Sequence, residues 1–298
     1  MKNYQNIFWI VISLITIGGI YPIQRNISKR FEQREKVLRS EVFTAIFDYQ
    51  VNKPDTTLYL NSSLNEISGL SMAPDDEHLL AVQDEQGILF WVNKYSGKID
   101  RQSKFGNADD YEGIEVVGQY AYISNSRGTI DKVDLETGEK ITSFKTFLNS
   151  DHDVEGLGYL KEKHSLLIGC KSYDDKDDKD RKVYRFDLQK DSLLEDPFYS
   201  LDREDIRIAL GREKGSAFAP SAIGTSPDGN LVVLVSSPAS AMICMNHSGK
   251  ILSAIELSKA LHRQPEGVTI DKDGVMYIAN EAQGGVAKIH VFNPIKKD

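Results

Sequence analysis

Five short blocks recur along the chain, each ending in a small residue followed by an aliphatic one. They are Glu66-Ile-Ser-Gly-Leu70, Asp110-Tyr-Glu-Gly-Ile114, Asp153-Val-Glu-Gly-Leu157, Ala219-Pro-Ser-Ala-Ile223 and Gln264-Pro-Glu-Gly-Val268. Counted between the small residues Gly69, Gly113, Gly156, Ala222 and Gly267, the steps are 44, 43, 66 and 45 residues. A period of roughly 40 to 50 residues is the length of one four-stranded propeller blade.

The landmarks between blocks fit the same unit. Turn chemistry follows each block at Pro74-Asp-Asp76, Gly118-Gln119, Lys161-Glu162, Pro227-Asp-Gly229 and Lys272-Asp-Gly274, where Asp and Gly accept the backbone angles of a tight reversal. Each turn leads into a β-rich run such as Leu79–Val82, Tyr120–Ile123 or Leu231–Val235, and a third run follows. Ser96-Gly97, Thr137-Gly138 and Ser248-Gly249 then turn the chain toward a fourth strand. Strand, turn, strand, turn, strand, turn, strand is one blade. The last unit stops at Phe292, short of its fourth strand, and Thr56–Leu60 ahead of the first block is placed to supply it. Such a closure removes the open edges of the array. The expected architecture is an all-β, five-bladed propeller over residues 42–298. The long third step carries insertions at 174–180 and 201–215, and short helices are expected at 203–212 and 257–263.

Taken together, Glu66-Ile-Ser-Gly-Leu-Ser, Asp110-Tyr-Glu-Gly-Ile-Glu, Ser126-Arg-Gly-Thr-Ile, Asp153-Val-Glu-Gly-Leu-Gly, Gln264-Pro-Glu-Gly-Val and Ile278-Ala-Asn-Glu resemble the bacterial SdiA-regulated family. The resemblance spans essentially residues 42–298. It implies a five-bladed propeller distantly akin to NHL-repeat propellers, often behind an N-terminal membrane segment, with calcium held at a shared site. It implies no reaction, since no biochemical activity is established for that family.

In a propeller, equivalent positions of the first strands face one central channel. Here they are Ser68, Glu112, Glu155, Ser221 and Glu266, and two residues earlier on the same strand side stand Glu66, Asp110, Asp153, Ala219 and Gln264. So many carboxylates around one channel are unfavourable unless a cation or protons neutralise them. Oxygen donors without His or Cys point to Ca²⁺ ahead of Zn²⁺. The expected metal-binding set is Glu66, Asp110, Glu112, Asp153, Glu155 and Glu266, with the ion between the first three blades, nearest Glu112 and Glu155. A structural alternative stays open, in which the Glu-Gly pairs tie blades together through backbone N–H groups. Ends of second strands add Asp84, Glu85, Asn125, Asn280 and Glu281 to the channel mouth. Arg127 and Lys171, read as equivalent positions, either orient an anionic ligand group or pair with ring carboxylates. Ser221 marks the side expected to open to a ligand.

Charge and cysteine content narrow the partners. Seven Lys/Arg against two Asp/Glu in residues 1–40 leave the remainder at a net −13. Such an acidic domain excludes nucleic acid as a partner, since nothing neutralises phosphates. Two cysteines, Cys170 and Cys244, lie in apolar runs and read as buried thiols. Asn6 to Tyr21 is uncharged and mostly apolar, with Trp9 and Tyr21 near its ends. Continued through Gln24, it is just long enough to span a bilayer. Residues 1–24 therefore read as an uncleaved anchor or a cleaved signal segment, 25–41 as a polar stalk, and 42–298 as the propeller. Basic residues from Arg25 to Arg39 favour a cytoplasmic domain by the positive-inside rule. An apolar start ahead of an all-β domain favours export, and a single-pass membrane protein with an extracytoplasmic propeller is the preferred reading.

Two functions from different classes remain. One is a calcium-holding binding or scaffold module at the cell envelope, its ligand unknown. The other is a Ca²⁺-dependent hydrolase, lactonase-like or phosphoesterase-like, in which the metal polarises a carbonyl or phosphoryl oxygen and His152, next to Asp153, acts as base. No nucleophile elbow, P-loop or Rossmann fingerprint is present, and the six histidines lack metal-ligand spacing. Asp174–Asp180 lacks the Gly and terminal Glu of an EF-hand loop. The absence of an assembled catalytic set favours the binding module.

Overall fold

A computed structural model describes residues 49–172, 180–214 and 217–295. The apolar segment 1–24, the stalk 25–41, the first residues of the propeller from 42, and the acidic run 174–180 except its last residue lie outside them. Among the described residues no helix is long and apolar enough to cross a membrane.

Five antiparallel sheets succeed one another along the chain. Blade 1 comprises Ile67–Met72, His78–Gln83, Gln86–Asn93 and Ile99–Lys104, and blade 2 comprises Tyr111–Val117, Tyr120–Asn125, Thr129–Asp134 and Lys140–Lys145. Blade 3 is built from Val154–Leu160, Ser165–Cys170 and Arg181–Asp187, with Ser192–Leu193 and Tyr199–Leu201 both pairing the third strand. Blade 4 uses Ala222–Thr225, Leu231–Ser236, Ala241–Asn246 and Ile251–Glu256. Blade 5 takes Pro265–Ile270, Met276–Asn280 and Lys288–Phe292, and its fourth strand is Thr56–Tyr59, in register Thr56↔Val291 to Tyr59↔Lys288. The ring thus closes as the sequence pattern predicts.

The hairpins between first and second strands each contain a residue at positive φ: Asp76, Gly118, His164, Gly229 and Gly274. They gather on one face of the ring. Starts of first strands and ends of second strands gather on the other, the mouth face. On the hairpin face Tyr49 Oη donates to Gly274 O at 2.7 Å. The insertion after blade 3 forms a helix, Arg203–Ala209, capped by Asp202, whose side chain accepts from Glu204 N–H. The second expected helix does not form. Residues 257–263 make a single turn in which Ser258 O accepts from both Leu261 and His262 N–H, because His262 is drawn inward to bond Val51 O.

The core is five layers, one between each pair of neighbouring blades. The layer between blades 1 and 2, for example, holds Leu80, Trp91, Phe105, Tyr111 and Ile123. The repeated small residue explains how the layers meet at the axis. A Cβ on Gly113 would lie 2.8 Å from Leu157 Cβ, one on Gly156 2.7 Å from Ile223 Cγ1, and one on Gly267 2.8 Å from Leu70 Cβ. A Cβ on Gly69 would lie 2.9 Å from Ile114 N. The small residue of each blade therefore makes room for the aliphatic residue of the next, and the last receives the first. At Ala222 a methyl is tolerated beside Val268. Gly113→Ala is expected to lower stability by about 1–3 kcal/mol through overpacking, measured by urea denaturation. A loss no larger than that of a surface change would show that the contact relaxes without strain.

Candidate functional site

Two rings of residues face the mouth. The first is the inner ring Ser68, Glu112, Glu155, Ser221 and Glu266. The second stands at the ends of the second strands. Asp84, Ser126, Lys171 and Glu281 each donate their N–H to the carbonyl two residues before the inner-ring residue of their own blade (Glu66, Asp110, Asp153 and Gln264) at 2.9–3.3 Å. In blade 4, Ser237 N–H reaches Ser221 Oγ instead, at 3.1 Å. Lys171 is thus equivalent to Ser126. Arg127, expected at that position, is one residue further on, exposed, and paired with Asp109 at 2.5 Å.

The two inner-ring serines are ties between blades. Ser68 Oγ donates to Tyr111 O at 2.5 Å, and Ser221 Oγ to Pro265 O at 2.8 Å. Both are buried. Ser221 therefore does not open toward a ligand, because its hydroxyl is committed to blade 5.

The acidic residues divide into two groups. In the first, Lys171 Nζ lies 2.5 Å from Glu155 Oε1. Burial opposes its charge, yet Glu155, Glu266 and Glu112 raise the Lys171 ammonium to about 12. Burial, reinforced by Glu155 and Asp110, holds Glu112 far above the usual carboxylate range. Burial also lifts Glu155 and Glu266, and the ammonium works against it in both. Glu155 and Glu266 are each 5% exposed, and Glu266 Oε2 has no hydrogen-bond partner. The place the sequence pattern marks for an ion, beside Glu112 and Glu155, holds a lysine.

The second group lies where blade 5 meets blade 1. Burial, with Glu66, Glu85 and Asp110 nearby, raises Asp84 to about 6. Burial, with Glu266, Glu66 and Asp84, raises Glu281 to about 7, against one hydrogen bond from Gln283. Asp84 Oδ1 is buried without a hydrogen-bond partner. Glu66, Glu85 and Asp110 are exposed, and Asp153 is half-buried at φ 52°. As the side chains stand, no three His, Cys, Asp or Glu groups among the described residues converge to hold a metal ion.

Three other expected residues are engaged elsewhere. Asn125 bonds Asp109 and the Thr129 N–H. Asn280, 2% exposed, sits beside His262 in the layer between blades 4 and 5. His152 is 7% exposed, with Nδ1 at 3.1 Å from Asn149 Oδ1.

One carboxyl escaped the sequence reading. Three residues beyond the inner ring stand Ser71, Glu115, Gly158, Gly224 and Thr269, and Glu115 is the sole charged residue among them. It lines a cavity of about 160 Å³ toward the hairpin face, its Oε1 accepting from Ser71 Oγ at 2.8 Å and Val116 N–H at 3.0 Å. Burial raises it to about 7, although Ser71, Val116 and Tyr159 favour the charged form. A carboxyl raised on folding favours the fold at low pH, and this contribution is lost as pH rises through about 7. Glu115→Gln is therefore expected to be more stable than the parent by about 2–3 kcal/mol at pH 9 and nearly equal at pH 5. Equal stabilities at both values would remove the charge from the account.

A family model, SdiA-regulated, matches residues 46–283. No curated protein matches the chain. Among solved structures, the chain is similar to Myxococcus xanthus glutaminyl cyclase at 12% identity and TM-score 0.56, over 81% of this chain and 95% of that one. It is similar to Kuenenia stuttgartiensis hydrazine synthase at 13% identity and TM-score 0.48, over 75% and 83%. These likenesses concern the fold.

Proposed function

The chain belongs to the SdiA-regulated family, and from that premise we propose that it is a calcium-binding propeller serving as a membrane-anchored binding or scaffold module at the cell envelope. The observation that supports calcium is the pair of partnerless buried oxygens, Asp84 Oδ1 and Glu266 Oε2, set among further carboxylates. Unsatisfied acceptors of this kind are disfavoured without a cation or a proton. All-oxygen donors suit a hard cation with flexible coordination. Glu66, Asp84, Glu281 and Glu266 are the residues that would hold it, the exposed Glu66 moving toward the other three. Bound there, calcium would neutralise the mouth and join the last blade to the first. The binding module is preferred to a hydrolase because His152, the base a hydrolase would use, is buried against Asn149.

Calcium chloride added to EDTA-treated protein should raise the thermal midpoint, with about 2.7 kcal/mol of stabilisation at a free concentration one hundred times the Kd. Asp84→Asn should abolish the rise. No calcium response in the parent protein would sink the reading. The membrane part is tested separately, by retention of the full chain in carbonate-washed membranes.

A further inference from the structure

We propose that the cavity beside Glu115, toward the hairpin face, binds a small primary ammonium ion whose apolar arm lies between blades 4 and 5. The site is separate from the mouth and does not rest on the calcium reading.

The four residues equivalent to Glu115 are Ser71, Gly158, Gly224 and Thr269, all small and uncharged. Ser71, Gly224 and Thr269 border the same cavity of about 160 Å³, and their size leaves it open. Within it the carboxylate is held in place. Ser71 of blade 1 donates its hydroxyl to Oε1 at 2.8 Å, and the Val116 N–H donates to the same oxygen at 3.0 Å. Neither donor is a cation. Among the described residues Glu115 forms no ion pair, and the one basic residue bordering the cavity, Lys161, is exposed. A carboxylate withdrawn from water is ordinarily matched by a positive charge. Here none is supplied by the chain, and with burial lifting the group to about 7 its ionisation weighs against the fold. A side chain that lowers stability, where small neutral ones fill four equivalent positions, points to a ligand.

The surroundings define that ligand. Fixed carboxylate oxygens with lone pairs to spare suit an ammonium, which brings three donors and the missing charge. A second cavity, of about 370 Å³, shares Ser226, Pro227 and Ile270 with the first. Leu231 and Val233 of blade 4, Cys244 of its third strand and Ile270 of blade 5 give it apolar walls. A ligand anchored at Glu115 therefore meets apolar surface in the direction of blades 4 and 5, where a short hydrocarbon or aromatic arm is withdrawn from water.

Ligand-observed NMR titration of the full chain with phenethylammonium chloride, at about pH 8 so that the carboxyl is mostly ionised, tests this. The neutral 2-phenylethanol and the armless methylammonium ion serve as comparisons. Phenethylammonium should bind at least about tenfold more tightly than the alcohol and at least about tenfold more tightly than methylammonium. Glu115→Gln, expected to fold at least as well as the parent, should lower phenethylammonium binding to the level of the alcohol. Glu139→Gln, which removes an exposed carboxyl from another part of the surface, should leave it within about twofold. An equal loss in both variants would show attraction by net charge alone and overturn the site. So would binding unchanged in Glu115→Gln, or no binding in the parent. Methylammonium binding as tight as that of phenethylammonium would overturn the apolar arm.

Discussion

Lys94→Met is expected to lower the unfolding free energy by about 3–5 kcal/mol, seen as a fall in the urea midpoint with little change in slope. Lys94 closes the third strand of blade 1, and its Nζ lies 3.1 Å from Asp271 Oδ2 in the hairpin of blade 5. The two side chains are 6% and 2% exposed, so neither charge is screened by water. Asp271 also accepts from the N–H groups of Asp273 and Val275 and from Tyr277 Oη at 3.2 Å. Removing the ammonium leaves that carboxylate buried with dipoles alone around it. Lys94→Met/Asp271→Asn should recover most of the loss, because the uncompensated charge is then gone. A single-variant loss below about 1 kcal/mol, the range of exposed ion pairs, would deny the pair its place in the closure.

The layer between blades 4 and 5 should respond to acid. His262 is fully buried, its Nε2 2.7 Å from Val51 O and its ring stacked on Phe292 at 6.1 Å. Burial pulls its pKa down to about 4, and the neighbouring His290 adds to the effect. His290 is itself held low by burial, between Thr57 Oγ1 and Leu261 O. A histidine lowered on folding favours the fold while neutral, so the contribution is complete above pH 6.5 and is lost as pH falls toward 4. For His262 alone the loss amounts to about 3 kcal/mol. His262→Gln keeps a donor for Val51 O and has no proton to gain. Its stability should therefore fall less steeply than the parent's between pH 7 and pH 4 in urea denaturation. Parallel slopes in the two proteins would rule out His262 as the acid-sensitive group.

The blade count and the closing strand were legible because a period fixes where every strand must start. Once Thr56–Tyr59 had no partner of its own and Lys288–Phe292 lacked one, a ring left a single pairing. The acidic mouth was legible for the same reason: equivalent positions share one channel. What the pattern could not carry was how each side chain spends its hydrogen bonds. Ser68 and Ser221 occupy the same ring as Glu112, yet they tie adjoining blades together. Arg127 reads as the equivalent of Lys171 until the backbone bonds show Ser126 there. Asn280 reads as a mouth residue, but strand alternation turns it with Ile278 toward the layer between blades 4 and 5. Residues 257–263 contain enough apolar spacing for a helix, and the inward pull on His262 prevents one. The Arg127 difference is one of register within blade 2; the others depend on contacts outside the blade, which a one-blade period does not describe.

The closing strand has a mechanical consequence. Thr56–Tyr59 lies antiparallel against Lys288–Phe292, so the first and last strands of the ring are fastened in one sheet. A pull applied at either end of the ring loads this single pairing before it reaches any other blade. Blade 5 is then the place where the ring gives way first under force, and the other four blades are shielded from it.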